Sequence, residues 1–593
     1  MSELDPDSQP DGHPDDQPDG HPDSQPDGHA DGHVDGHPDP PSGAGVDPIT
    51  LEVVRNALVG IAEEAGAALR RTAYSPNIKE RVDCSTALFD PEGNMVAQAE
   101  HIPVHLGSMP LSVAAAREAF EHLAAGDQVL VSDPYAGGTH LPDWTLVAPV
   151  HDDQGVLLGY ASNRAHHSDV GGAAPGSMPT GAVDIVAEGL RIPPVKLMVA
   201  GQEQRDLVAL LLANTRTPDE RLGDLRAQLG ANHLAARRLR ELAAAHGGGT
   251  GNAPAGETRR HEPADGAPAA AASSLAAAMA ATLDHAERTV TTALRQLPDG
   301  VAHAEDVLDD DGAGTQDIAI RATVTIADGH VTCDLTASDA QVAGNVNCPL
   351  AVTLSAAVYA LRAVVAPDLP ANDGLRRALT LRTTPGGIVD ARAPAAVAAG
   401  NVETSQRIVD VLLACFAQLT ERRVGAASQG TMNNTLLGGT DPRTGRAFTY
   451  YETLAGGTGA GPWGPGADGT HSHMTNTRNT PVEAFELAYP LRVVEYALRP
   501  GSGGEGRHRG GGGLRRVLEV VTDDATASLV TERRRHAPPG AAGGGEGGRG
   551  RNALRRADGG GVEQPLPAKT TVRLRRGDRL IVETPGGGGY GPV

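Results

Sequence analysis

Glycine and proline interrupt this chain so often that no long regular element can dominate its fold. The 593 residues include 75 glycines and 43 prolines, and the glycines crowd most densely between residues 501 and 593. Such punctuation excludes a coiled coil or an all-helical repeat. It predicts many turns and backbone-lined loops. Aromatic residues make up only 3% of the sequence, so the core must come from small aliphatic side chains, which a chain of this size can supply.

The pattern changes along the chain. Residues 1–46 are a degenerate repeat of Pro-Asp-Gly-His and Pro-Asp-Ser-Gln units. With so little apolar content this tail cannot offset its ordering entropy and is expected to be disordered. Its histidines (His13, His21, His29, His33 and His37) stand among aspartates that could gather a metal loosely. From Asp47 a helix is expected, with Leu51, Val54, Leu58, Ile61 and Ala65 on one face. Residues 47–245 read as a first folded region, helical from Gln204 to Ala244, and 246–273 as a low-complexity linker. Residues 274–500 read as a central α/β region, with a helix through Leu275, Met279, Leu283, Val290 and Leu294 and a hairpin over 318–335. Residues 501–593 read as a glycine-rich β region. The fold class is mixed α and β, layered, with long glycine-rich loops.

Charge and motifs exclude several functions. The formal net charge is −24 and no basic block is present, so a nucleic-acid partner is not expected. No apolar run is long enough for a membrane span, and no secretory pattern is seen. Four scattered cysteines without a CxxC pair read as free thiols of a cytoplasmic protein. The chain has three lysines and no Walker phosphate loop. Gly459–Gly464 matches GxGxxG only formally, since Pro462 lies inside it. Neither a Gly-x-Ser-x-Gly elbow nor His-Glu-x-x-His occurs.

The densest polar constellation is Gly137-Gly-Thr-His-Leu-Pro-Asp143 together with Arg164-Ala-His-His-Ser-Asp-Val-Gly-Gly172. His140 and Asp143 stand three apart in a turn, and a loop bearing His166 and His167 would complete a set of imidazole and carboxylate donors. Such mixed N/O ligands suit a catalytic Mn, Fe or Zn ion. The competing reading is two polar loops whose histidines bond neighbouring backbone.

The runs Asp47-Pro-Ile-Thr-Leu-Glu-Val-Val-Arg-Asn56, Ser75-Pro-Asn-Ile-Lys-Glu-Arg-Val-Asp-Cys-Ser85 and Ile102-Pro-Val-His-Leu-Gly-Ser-Met109 resemble the start of the hydantoinase B/oxoprolinase family. Asp133–His140, Ala165–Gly172, Gly223–Gln228, Gly344–Asn347, Gly400–Ser405, Tyr451–Gly457 and Thr584–Gly591 extend that resemblance in order over residues 47–593. The resemblance implies a B-type subunit of an ATP-dependent enzyme that opens a hydantoin or 5-oxoproline-like lactam. An A-type partner would use Mg-ATP to phosphorylate the amide oxygen, which fits the missing phosphate loop. It further implies a divalent metal on Glu80, His140, Asp143 and one of His166 or His167. Asp169 or His167 would orient the site or act as base, and Asn401, Glu403 and Ser405 would line the substrate region. Two alternatives stand beside this reading. One is a subunit of an acetone- or acetophenone-type ketone carboxylase, whose chains are generally longer; the other is a non-catalytic metal-binding scaffold.

Overall fold

A computed structural model describes residues 46–99, 102–246, 267–420 and 423–593. The acidic tail and most of the expected linker therefore lie outside the described residues. Helix α1 (Pro48–Thr72) begins where Asp47 accepts a hydrogen bond from the Thr50 amide at 2.9 Å, with Pro48 in the first turn. Its apolar stripe of Val54, Leu58, Ile61, Ala65 and Leu69 is buried. A single turn, α2 (Pro76–Lys79), leads into the first sheet.

That sheet is built from β1 (Cys84–Phe89) and β2 (Met95–Ala99), then, after helix α3 (Met109–Ala119), from β3 (Gln128–Val131), β4 (Asp143–His151), β5 (Leu157–His166), β6 (Val195–Val199) and β7 (Gln202–Glu203). The strand order is β2-β1-β5-β4-β3-β6-β7, antiparallel throughout. Helices α4 (Arg205–Ala213), α5 (Pro218–His246) and α6 (Ala267–Leu294) follow. The helical run expected over 204–244 is thus two helices, broken before Pro218, whose ring cannot sit inside a helix. Alternate residues serve opposite faces. Leu88, Val150 and Ala161 pack under α1, α5 and α6. Ala87, Phe89, Val147 and Tyr160 pack under α3. Both faces are covered, so β1 is buried along its whole length.

A second sheet holds β8 (Gly300–Asp310), β9 (Gln316–Ala327), β10 (His330–Asp334) and, beyond helices α7 (Leu350–Val365) and α8 (Asp373–Arg377), β11 (Leu379–Arg382), which pairs parallel to β10. Ile318, Ile320, Ala322, Val324 and Ile326 point to one side and meet α7 and α9 (Ser405–Leu419). The expected hairpin is β9–β10, turning at Asp328 and Gly329, both at positive φ.

The remaining strands are β12 (Asn434–Asp441), β13 (Arg446–Glu452), then past α10 (Val482–Ala488) β14 (Leu491–Leu498), β15 (Leu514–Val520), β16 (Ala525–Val530), β17 (Arg551–Arg555), β18 (Glu563–Leu566), β19 (Lys569–Leu574) and β20 (Arg579–Glu583). They form sheets ordered β13-β12-β16-β19 and β14-β15-β20-β17-β18, which share a core of Leu437, Phe448, Tyr450, Phe485, Leu518, Leu529 and Val582. The boundary expected at residue 500 falls between β14 and β15, which pair with each other.

The glycine-rich loops pack backbone against backbone. A Cβ on Gly587 would stand 2.0 Å from the Thr458 carbonyl oxygen, and one on Gly457 would stand 1.9 Å from that of Gly511. Gly587 N–H meanwhile donates to Gly511 O at 2.9 Å. Only glycine permits this spacing. Gly587→Ala is expected to cost at least about 1–3 kcal/mol, as overpacking does, and to lower the thermal midpoint. Gly464→Ala, with nothing within 4 Å of its Cβ, is expected to leave that midpoint near wild type in the same melting experiment.

Candidate metal centre

The centre forms where β4 begins and β5 ends. Asp143 and His166 are direct cross-strand partners in that antiparallel pair. His140 precedes β4 in a tight turn, where the Asp143 amide donates to the His140 carbonyl at 3.1 Å. Asp143 Oδ1 lies 3.3 Å from His140 Nε2 and 3.4 Å from His166 Nδ1, and those two nitrogens are 3.2 Å apart. All three residues are buried, and each offers one donor atom to a common point. Separations of this size are those of N and O donors held about 2.1 Å from one cation.

The surroundings fix the carboxylate. Thr139 Oγ1 donates to Asp143 Oδ2 at 2.5 Å, and His105 Nε2 stands 3.5 Å from the same oxygen. Ser85 Oγ lies 2.9 Å from His105 Nδ1. Oδ2 is thereby occupied and Oδ1 is left to face the two imidazoles. Burial by itself would raise the Asp143 pKa, but His140 and the hydrogen bonds from His105, His140 and His166 outweigh it and hold the carboxyl well below its ordinary range. Burial also lowers the His140 pKa against the pull of Asp143. A neutral imidazole beside an ionised carboxylate is the state a cation requires.

Pleat parity distinguishes His166 from its neighbour. His166 turns toward His105 and Asp143, whereas His167 lies against Trp144, ring centroids 4.1 Å apart, with Nε2 2.9 Å from Gln228 Oε1 on α5. Burial drives the His167 pKa down to about 3. The structure therefore brings His166, and not His167, to His140 and Asp143.

Other expected residues stand elsewhere. Glu80 is half-buried at the C-terminal end of α2 and is not a member of the donor group. Asp83 is nearer, with Oδ2 3.9 Å from His166 Nδ1, and Asn77 Nδ2 donates to that oxygen at 3.3 Å. Asp169 stands outside the donor group: it accepts from the Gly171, Gly176 and Arg216 amides and pairs with the Arg216 guanidinium at 2.9 Å. Its work is to fold its own loop.

A cavity of about 20 Å3, room for one water, adjoins the donors and is lined by Asp83, His105, Asp143, His166, Asn401 and Tyr451, among others. Asn401 comes from a π-helical turn, Gly400–Thr404, that runs into α9. Its Oδ1 is buried without a hydrogen-bond partner. Glu403 sits behind, accepting from the Met432 amide at 3.2 Å and from Asn434 Nδ2 at 2.8 Å. Burial and the nearby Glu532 push its pKa up to about 8. Ser405 is spent inside the helix, its hydroxyl donating to Asn401 O at 2.8 Å. His105, Asp83 and Tyr451, whose ring stacks on His166 at 4.6 Å, carry no signal of their own in the sequence. Each lies within a stretch that carries the family resemblance.

Comparison with known proteins places this architecture. The chain matches the Hydantoinase B/oxoprolinase family over residues 47–261 and 269–593, and it belongs to that family. It is 37% identical to 5-oxoprolinase 1 of Arabidopsis thaliana over 92% of its own length, but it spans only 42% of that protein. It is 30% identical to a D-/L-hydantoinase B-type subunit of a Pseudomonas species, covering 79% of this chain and 77% of the other. The crystal structure of an ATP-dependent caprolactamase from Pseudomonas jessenii superposes with a TM-score of 0.82 at 29% identity, over 92% of this chain and 91% of that one.

His140→Ala or His166→Ala is expected to remove most divalent metal from protein purified after Mn or Zn loading. Glu80→Gln and His167→Ala are expected to keep near one ion per chain. Elemental analysis of the four proteins, each checked for folding by its melting curve, decides between these assignments.

Proposed function

We propose that this chain is the B-type part of an ATP-dependent cyclic amidohydrolase that opens a hydantoin or a 5-oxoproline-like lactam. The observation that carries this reading is the convergence of His140 Nε2, Asp143 Oδ1 and His166 Nδ1 beside a cavity that also holds Asp83 and Asn401. The names of the relatives support the substrate class, and the description of the hydantoinase relative as one subunit of an enzyme supports an A-type partner that performs the ATP-dependent step.

Each side chain has a task in ring opening. His140, Asp143 and His166 would hold a divalent cation, which when bound would lower the pKa of a coordinated water. Thr139 and His105 hold Asp143 in one orientation. Asp83 takes the proton released as the nucleophile forms, since among the described residues it is the remaining carboxylate on the cavity wall. Asn401 offers its side chain to the ring amide. Tyr451 keeps the His166 ring in plane and excludes water from its far face. A cavity of this size must widen to admit a ring, so the bound form differs from this one in the surrounding loops.

The isolated chain is expected to show no ATP hydrolysis stimulated by a cyclic amide, and to gain it on adding a hydantoinase A-type protein. Removing the metal from that pair with a chelator is expected to abolish ring opening, and Mn or Zn to restore it. Asp83→Asn is expected to lower ring opening at least tenfold, about 1.4 kcal/mol in transition-state terms, with metal content unchanged. Full activity of Asp83→Asn in a coupled assay would remove Asp83 from this role.

A further inference from the structure

Behind the segment 472–475 lies a second and much larger cavity, of about 690 Å3. Met474 and Thr475 line the small cavity at the His/Asp centre, while His473 lines the large one. His473 holds a φ of 57°, a conformation a non-glycine residue keeps only where its surroundings over-determine it.

Asp306, Asp410 and Arg533 line the large cavity and form an ionic quartet with Arg407 behind them. Arg407 and Arg533 are fully buried. Arg407 Nη1 lies 3.0 Å from Asp306 Oδ2 and 3.1 Å from Asp410 Oδ2. Arg533 Nη2 lies 2.6 and 2.8 Å from the same two oxygens. Glu532 Oε2 lies a further 3.5 Å from Arg407 Nη2, yet only one oxygen of Asp410 is used by the two guanidinium groups. Asp410 Oδ1 is buried without a hydrogen-bond partner and stands 3.5 Å from His473 Nε2. An acceptor of this kind is costly to leave empty. Val364, Val411, Ala414 and Ala417 form an apolar wall from α7 and α9. At the exposed rim, Arg423 and Arg549 have no acidic partner among the described residues, which there include a single unpaired acid, Glu546.

We propose that this cavity binds an acyclic amino acid, with its ammonium on Asp410 Oδ1, its methylenes along the α7–α9 wall and its carboxylate at Arg423 and Arg549. Water opening a lactam breaks the C–N bond and leaves the nitrogen as an amine and the acyl carbon as a carboxylate, which is this class of molecule. That identification of the ligand as the product rests on the ring-opening reading above, whereas the binding itself does not.

The test is calorimetric titration of the full chain with 4-aminobutanoate, 5-aminopentanoate, 6-aminohexanoate and glutamate, with hexanoate and hexylamine as one-ended controls. At least one amino acid is expected to bind tenfold or more tighter than either control. Ala414→Phe, which fills the apolar wall, and Asp410→Asn are each expected to weaken it at least tenfold, and His140→Ala to leave it unchanged. Absence of binding at tens of millimolar overturns the proposal, as does binding indifferent to both Ala414→Phe and Asp410→Asn. Loss of binding in His140→Ala also overturns it, by moving the ligand to the metal centre. Amino-acid binding by a chain that opens no ring with its partner would uphold the cavity and discard the ring-opening reading. Ring opening without amino-acid binding would do the reverse.

Discussion

The pairing of β4 with β5 puts Asp143 opposite His166, and the character of the centre depends on that register. Side chains alternate faces along a strand, so a slip by one residue would carry the whole set to the other side of the sheet. In the observed register Asp143 and His166 share the face covered by α3, where His105 and Ser108 are also found, and Arg164 of the same face donates to the Ser108 and Ser112 hydroxyls. Trp144 and His167 share the other face with α5, where Gln228 Nε2 donates to Trp144 O at 2.8 Å. One histidine of the pair is thus committed to the donor group and the other to the core.

Burial gives that register its chemical consequence. A buried carboxylate is expensive unless something positive completes it. Thr139 and His105 satisfy one oxygen of Asp143, and the other faces two nitrogens across gaps that suit a cation. The glycine-rich loops serve a related end at another scale. By allowing backbones to approach until a methyl group would collide, they let the loops around 457, 511 and 587 stack as a solid layer. The β12–β20 region, which contributes Tyr451 to the centre, is anchored on that layer.

Much of this is legible in the sequence. The stripe of α1, the α6 stripe from Leu275 to Leu294, the β9–β10 hairpin and the turn carrying His140 and Asp143 are local patterns, and local patterns survive folding. Pro218 is visible too, but the leucine- and alanine-rich composition on both sides of it masks the break it makes. The pairing of β4 with β5 is a contact between strands that a pattern within one strand does not specify, so sequence leaves His166 and His167 open. Glu80 and Asp83 sit three residues apart at the end of a one-turn helix, and which of them faces inward depends on how α2 docks beside β5. Asp169 resembles a base because its loop is rich in histidine, yet its partner Arg216 lies 47 residues away. The boundary at residue 500 follows a rise in glycine, whereas the sheets follow hydrogen bonds that cross it.

The proposed ring-opening reading rests on a single cation held by His140, Asp143 and His166. Anomalous diffraction from crystals of the metal-loaded protein, collected at the Mn or Zn absorption edge, tests it most directly. The predicted result is one strong peak within about 2.0–2.2 Å of His140 Nε2, Asp143 Oδ1 and His166 Nδ1. A fully loaded crystal with no density among those three atoms, or with its ion bound elsewhere on the chain, would contradict it.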